Sequence, residues 1–279
     1  MNLIQSILMG IVQGLSEFLP ISSSAHLVFT SNFYKVFKNI PIEEQSTQEV
    51  FLDIMLHFGT LIAVLIYFRK DITDICKSLF YAIKNKDFSD KQAKIALYIV
   101  LGTIVTIILA LPLEKIAHNL VFHPAIVGGL LIITGGVLFV SEKINNFKND
   151  NINLKHSILI GLAQGLAVIP GFSRSGWTIA TGLFLGLDRQ TAARYSFLLS
   201  IPIILGASMV YPIIKIDLAQ ALTYNWTAII SGTIVSGIVG YLCIKYFMKF
   251  IAKFSLNIFA WYCLIVGVFT TLFFTFIAK

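Results

Sequence analysis

The chain has 279 residues, of which 57% are hydrophobic and only 13% charged, with a mean hydropathy of +0.83. Soluble domains carry about a quarter charged residues, so the composition excludes a soluble protein and points to an integral membrane protein with several spans. The net charge of +7 does not indicate nucleic acid, because the basic residues sit in short loops between apolar runs, where they orient a membrane protein.

The N-terminus, MNLIQSIL, has no basic region and no small-residue cleavage site, so no removable signal peptide is expected. The first element, ILMGIVQGLSEFLPISSS at 7–24, is an apolar run broken by Pro20 and a serine cluster, followed by a short apolar stretch at 25–34. Neither part reaches the roughly 20 apolar residues of a span. The pattern predicts a broken helix or re-entrant hairpin, tolerated at membrane depth only where protein or a water-filled cavity covers it. Gln13 and Glu17 share one helical face. They could present two oxygens to a hard divalent cation or hold a water, or simply bond to neighbouring helices. Pro20 to His26 looks like a helix start, with Ser22, Ser23 and Ser24 at or near the cap, and free amides there attract anions. Ser23 and His26 are three apart. They offer a hydroxyl nucleophile beside a proton carrier, a histidine nucleophile beside a hydroxyl, or only a cap and a hydrogen bond.

The first full span is expected at 50–68, with Asp53 and His57 one turn apart, placed to support a site from behind. Residues 69–94 hold seven Lys and Arg. Within them, Ile72, Ile75, Cys76, Leu79, Phe80 and Ile83 recur at helical spacing, which predicts an amphipathic helix on the membrane surface over 72–83, or a helix that docks a partner. Spans follow at 95–113 and 121–141, then a polar link at 142–156. His118, His123 and His156 fall near span ends, as interfacial residues do.

At 158–175 the opening block returns as ILIGLAQGLAVIPGFSRS, offset by 151, with identities that include Gly10/Gly161, Gln13/Gln164, Gly14/Gly165, Ser22/Ser173 and Ser24/Ser175. Another short apolar stretch, 176–187, follows. The two copies hold Glu17, His26 and Arg174, groups costly enough in a bilayer to suggest a site, and the duplication suggests two halves meeting around it. Gly171 lets backbone approach a ligand closely. Ser173, Ser175 and Thr178 supply hydroxyls, and the Arg174 fork suits phosphate. Arg174 needs a partner, either Glu17 as an ion pair or an anionic substrate. The gathered donors favour the anion, and both uses can coexist.

Spans are then expected at 195–214, 226–247 and 257–278. Asp188, Arg189 and Arg194 precede them as a turn cluster suited to capping and solvated ion pairs. Gly232, Ser236 and Gly240 mark close helix packing. Cys76, Cys243 and Cys263 form neither a disulfide framework nor a metal signature. Each half is one hairpin plus three spans, an odd number, so the second half enters from the opposite side. The fold class is therefore all-α, with six transmembrane helices plus two re-entrant hairpins. The architecture is a single membrane domain, 1–279, of two inverted repeats, about 1–141 and 157–279, joined by a cytoplasmic loop. With 69–94 inside, alternation places 15 of the 21 Lys and Arg inside and 5 outside, leaving Arg174 in the membrane, as the positive-inside rule requires.

QGLSEFLPISSSAH at 13–26 resembles the (E/Q)xxxE-plus-serines motif of bacterial undecaprenyl-diphosphate phosphatases, the bacitracin-resistance family. PGFSRSGWT at 170–178 matches that family's PGxSRSxxT motif, and FLDIMLHFGTLIAVLIYF at 51–68 is similar to its next conserved segment. The resemblance covers essentially the full length. It implies hydrolysis of undecaprenyl diphosphate to the monophosphate, which returns the lipid carrier to cell-wall synthesis and confers bacitracin resistance. It also implies a bacterial plasma-membrane location, a site open to the outer face, and Mg²⁺ or Ca²⁺ as cofactor. By motif position, Glu17 is an essential acid and metal ligand, Gln13 a weaker second ligand, and Ser22, Ser23, His26 and Arg174 active-site residues. Ser24, Gly171, Ser173, Ser175 and Thr178 are expected around the phosphate. The expected partners are a polyprenyl diphosphate and membrane lipids, not nucleic acid, and a homodimer is left open. The rival reading is a transporter or flippase of a polyprenyl phosphate or other anion, which inverted repeats with broken helices also suit. A transporter needs no nucleophile, so Ser23 beside His26 near an acid tilts the reading toward an enzyme.

Overall fold

The computed structural model describes residues 2–42, 46–144, 150–215 and 221–276, with side chains up to residue 210 in the third stretch. Residues 145–149 of the polar link, with Lys148, and the end of the last expected span, with Lys279, lie outside the described residues. Among these residues there are eleven helices and no β-strand: α1 Leu3–Ser16, α2 Ser23–Phe37, α3 Thr47–Tyr67, α4 Arg69–Asn85, α5 Lys91–Leu120, α6 Pro124–Ile144, α7 Leu154–Leu166, α8 Arg174–Phe184, α9 Arg189–Lys215, α10 Trp226–Ile251 and α11 Asn257–Phe276. Six of them, α3, α5, α6, α9, α10 and α11, are long and apolar enough to cross a membrane. They match the six expected spans in order. α5 runs past its expected end, through Pro112 to Leu120, which makes it about 45 Å long.

The two repeat blocks break as expected. α1 ends at Ser16 and α2 begins at Ser23; α7 ends at Leu166 and α8 begins at Arg174. Ser22 and Ser173 cap the second helix of each pair, their hydroxyls accepting from the amides of Ala25 and Gly176. Each cap ends the preceding loop and satisfies a backbone donor that would otherwise be lost at a buried helix start.

Packing of the pairs is reciprocal. α1 lies along α10 and α7 lies along α5. The Ser6 hydroxyl donates to the Ala228 carbonyl at 2.6 Å, and the Ser157 hydroxyl to the Tyr98 carbonyl at 2.6 Å. A Cβ on Gly10 would stand 2.5 Å from the Gly232 carbonyl oxygen, and one on Gly161 would stand 2.7 Å from that of Gly102. Glycine is required there because backbone touches backbone. In both pairs the contacts advance together along the two helices, so each hairpin's first helix runs parallel to its partner. Gly232, Ser236 and Gly240 face Ser6, the Leu56 carbonyl and Phe18 in this packing.

α4 confirms a helix where periodicity placed one, but its apolar residues are divided. Ile72, Ile75 and Leu79 pack on the core, whereas Cys76, Phe80 and Ile83 are exposed. The turn cluster behaves as expected. Asp188 accepts from the Thr191 amide at 2.9 Å, Arg189 pairs with Glu142, and Arg194 pairs with Asp71. Glu142 also accepts from the Leu256 amide at 2.8 Å, tying the end of α6 to the start of α11.

Candidate active site

The loop after α1 and the start of α8 bring one carboxylate and one guanidinium together inside the bundle. Glu17 sits one turn beyond Gln13, its amide still bonded to the Gln13 carbonyl at 2.9 Å. Its side chain is 5% exposed, and Arg174 reaches it from α8 with Nη2 2.5 Å from Oε1. The second carboxylate oxygen is gripped from other directions. Ser23 Oγ donates to Oε2 at 2.6 Å and Gln13 Nε2 donates to it at 2.9 Å. His57 Nε2 stands 3.7 Å away. The His57 ring is oriented by its Nδ1, which donates to the Asp53 carbonyl at 2.8 Å.

Two polar atoms of this cluster remain unspent. Arg174 Nη1 and Gln13 Oε1 are buried and have no hydrogen-bond partner. A buried donor or acceptor left unmatched costs about 1–3 kcal/mol, so both are groups that a ligand would satisfy. One is a cationic N–H suited to an anion; the other is a neutral oxygen suited to a cation or a donor.

His26 is placed differently from Ser23. Its Nδ1 lies 2.8 Å from the Ser22 carbonyl, which can only accept, so that nitrogen carries the proton. Nε2 is 2.8 Å from the Tyr262 hydroxyl, and the two rings are near-parallel with centroids 5.6 Å apart. The proton of Ser23 therefore goes to Glu17, and His26 turns to Tyr262. Ser22, between them, has φ 70°, a left-handed conformation that a non-glycine residue holds at a cost of about 1–3 kcal/mol. It turns the chain so that Ser23 faces Glu17 while the Ser22 carbonyl faces His26.

The remaining expected site residues lie in the two loops and the first turns of α2 and α8. Gly171, at φ 100°, packs its backbone on α6, where a Cβ would stand 2.7 Å from the Val127 carbonyl oxygen. The Thr134 hydroxyl ties this loop down, donating to the Gly171 carbonyl at 2.8 Å and accepting from Trp177 Nε1 at 3.1 Å. The hydroxyls of Ser173 and Ser175 are 3.3 Å apart, as are those of Ser22 and Ser24. Ser175 donates to the Leu19 carbonyl at 2.9 Å, joining the two loops. Thr178 is fully buried, bonded to the Arg174 carbonyl at 2.6 Å and to the Ser196 hydroxyl at 2.6 Å. Its hydroxyl holds α8 against α9. His156 is also buried, in a capping box with Asn153, with Nε2 3.4 Å from the Leu185 carbonyl. Tyr262 and Thr134 carry no signal in the sequence, because each meets its partners only through chain-distant packing.

The chain matches the family described as Bacitracin resistance protein BacA over residues 6–269. It is 40% identical to an undecaprenyl-diphosphatase of Methanobrevibacter smithii, over 96% of both chains, and 40% identical to one of Halothermothrix orenii, again over 96% of both. It is 37% identical to undecaprenyl-diphosphatase 2 of Halalkalibacterium halodurans, over 98% of this chain and 97% of the relative.

Proposed function

The chain belongs to the bacitracin resistance protein family, and from that membership and the Glu17 site we infer its reaction. It is a multi-pass membrane hydrolase that converts undecaprenyl diphosphate to undecaprenyl phosphate and inorganic phosphate. This is the enzyme reading and not the transporter one. The observation that carries it into chemistry is the 2.6 Å hydrogen bond from Ser23 Oγ to Glu17 Oε2, with Arg174 on the other oxygen. A hydroxyl bonded to a buried carboxylate is a nucleophile beside its base.

We assign the roles as follows. The diphosphate enters between the two loops and takes the unspent Arg174 Nη1. Ser23 Oγ attacks the terminal phosphorus as its proton passes to Glu17 Oε2. The bond to the bridging oxygen breaks, and undecaprenyl phosphate leaves as the anion. Water then attacks the phosphorylated Ser23, inorganic phosphate departs, and Ser23 regains a proton by way of Glu17. Most of the rate comes from placement and charge neutralisation, as in phosphoryl transfer generally. His26, braced by the Ser22 carbonyl and the Tyr262 hydroxyl, is turned away from Ser23 and is assigned to proton handling at the rim of the site.

A divalent cation, Mg²⁺ or Ca²⁺, fits the donor set in the manner of a substrate-bridged site. Glu17 and Gln13 Oε1 are the protein oxygens that would hold it, and the unpartnered Oε1 supports this. Mg²⁺ in particular is usually held by one or two carboxylates and completes its shell with phosphate oxygens and water, whereas Ca²⁺ takes more oxygens. When bound, the ion would neutralise diphosphate charge.

We further propose that the two halves are inverted repeats with re-entrant tips. Parallel pairing of α1 with α10 and α7 with α5 supports this, since alternate crossing makes α5 and α10 run oppositely. On this reading the protein lies in the plasma membrane, α2 leads from the site to the outer face, and the prenyl tail stays among membrane lipids. The test is direct: purified protein, given a polyprenyl diphosphate, should release phosphate and should slow when a chelator is added. No release would overturn the assignment.

A further inference from the structure

The loop that carries Arg174 is fastened by a helix from the other half of the chain. Thr134 on α6 is fully buried. Its hydroxyl donates to the Gly171 carbonyl at 2.8 Å and accepts from the Ser173 amide at 3.4 Å and from Trp177 Nε1 at 3.1 Å. A hydroxyl has one proton and two lone pairs, so all of it is spent. Gly171 lies in the loop, Ser173 caps α8 and Trp177 lies in its first turn, so the three partners bracket Arg174. Gly171 is also pressed onto α6, where a Cβ would stand 2.6 Å from Leu130 Cβ, and the Phe172 and Trp177 rings pack with centroids 4.6 Å apart.

The first loop is fastened at the equivalent places. Pro20 and His26 stand 151 positions before Gly171 and Trp177. The Pro20 carbonyl accepts from the Cys263 thiol at 3.6 Å, and His26 Nε2 lies 2.8 Å from the Tyr262 hydroxyl. Both of these partners belong to α11. Each loop is therefore held by the last helix of the opposite half. Those two helices lie against each other: a Cβ on Gly128 would stand 2.9 Å from the Gly267 carbonyl oxygen, and one on Gly267 would stand 2.7 Å from that of Gly128. The fastenings are unequal. A thiol is a weak donor, so the hydroxyl of Thr134 holds its loop carbonyl more firmly than Cys263 holds the other.

We propose that Thr134 is a positioning residue for the reaction. It fixes the backbone on both sides of Arg174, so that Nη2 reaches Glu17 while Nη1 stays open to the phosphate. The side chain of Arg174 has little else to aim it, since Nη2 bonds to Glu17 and Nη1 has no protein partner. Its direction is set by the first turn of α8, and a misplacement of about 1 Å costs a reaction roughly 10²-fold. The hydroxyl of Thr134, being spent, bonds to neither Glu17 nor Ser23 and acts through Arg174. This role rests on the hydrolysis assigned above.

Thr134→Val keeps the shape and deletes the hydroxyl, whereas Thr134→Ser keeps the hydroxyl. In detergent, Thr134→Val should release phosphate roughly 30-fold more slowly than wild type, and the added inorganic phosphate that halves its rate should rise roughly tenfold. Thr134→Ser should restore both to within about threefold of wild type. In an Arg174→Ala background, Thr134→Val should slow release by less than about twofold more. A packing role predicts otherwise: unchanged phosphate inhibition in the enzyme that folds, and a loss that adds in full to that of Arg174→Ala. Either result, or a Thr134→Val enzyme at the wild-type rate, would overturn the assignment. If Thr134→Val does not fold, Trp177→Phe removes one of the three bonds and should weaken phosphate inhibition several-fold; unchanged inhibition there overturns it equally. Phosphate release by the wild-type protein, measured first, separates the two levels. If it is present while the Thr134 results fail, hydrolysis stands and the positioning role falls. If it is absent, both fall.

Discussion

Ser23 and Arg174 stand 151 positions apart, at the same place in the two copies of the repeat, and they bind the two oxygens of a single carboxylate. Ser23 Oγ lies 2.6 Å from Glu17 Oε2, and Arg174 Nη2 lies 2.5 Å from Oε1. The copies thus contribute unlike groups at one equivalent position, a hydroxyl from the first and a cation from the second. Val168 stands where the second copy would repeat Glu17, so one carboxylate serves both.

Ser23→Ala should lower the rate of phosphate release by roughly four orders of magnitude, the scale seen when a nucleophile that acts as part of a unit is removed. Glu17→Gln should cost nearly as much, and the double variant little more. A Ser23→Ala enzyme within tenfold of wild type would move the nucleophile to His26.

Arg174→Lys should fail almost as badly as Arg174→Ala, with a loss of roughly 10²–10³ in rate, because an ammonium cannot hold Glu17 and a phosphate at once as the fork does. Ser175→Ala, which removes the bond to the Leu19 carbonyl and the contact with the Ser173 hydroxyl, should cost far less. Phosphate release from purified variants ranks the three.

Tyr262→Phe deletes the hydroxyl on His26 Nε2 and should slow turnover by roughly fivefold, the scale of one hydrogen bond. If that bond is all Tyr262 contributes, Tyr262→Phe combined with His26→Ala should be no slower than His26→Ala alone. A double-mutant cycle that is simply additive would show the two residues acting separately.

Gln13→Glu should lower the cation concentration needed for half-maximal activity several-fold, because a charged oxygen binds a hard cation better than an amide does. Gln13→Ala should raise it. A titration of Mg²⁺ and of Ca²⁺ into chelator-treated enzyme reads both.

Gly10→Ala and Gly161→Ala should each destabilise the fold by about 1–3 kcal/mol, since the added methyl strikes backbone on α10 and α5 respectively. Gly129→Ala meets nothing within 4 Å and should be neutral or slightly stabilising in its helix. Thermal unfolding in detergent compares the three, and equal effects of the two clashing variants would match the reciprocal packing.

The six spanning helices, the two broken blocks and a serine cap after Pro20 were legible in the sequence, because each follows from local chemistry; the matching cap at Ser173 was not. Apolar length makes a span, proline and serine break it, and a hydroxyl satisfies the amides the break exposes. The candidate residues were legible for a related reason: ionisable groups are too costly in an apolar run to be there idly. Their partners were not legible. Ser23 meets Glu17 across a non-helical loop, where periodicity says nothing, and spacing alone had set Ser23 beside His26. Tyr262 meets His26 across 236 positions and lies in an ordinary apolar helix. By itself, then, the sequence determined the membrane class, the helices and the list of polar groups. Only the tertiary structure decided which of those groups share a proton and which lone atoms, Arg174 Nη1 and Gln13 Oε1, are left open. Hydrogen bonding acts over about 3 Å, a distance that chain order does not encode.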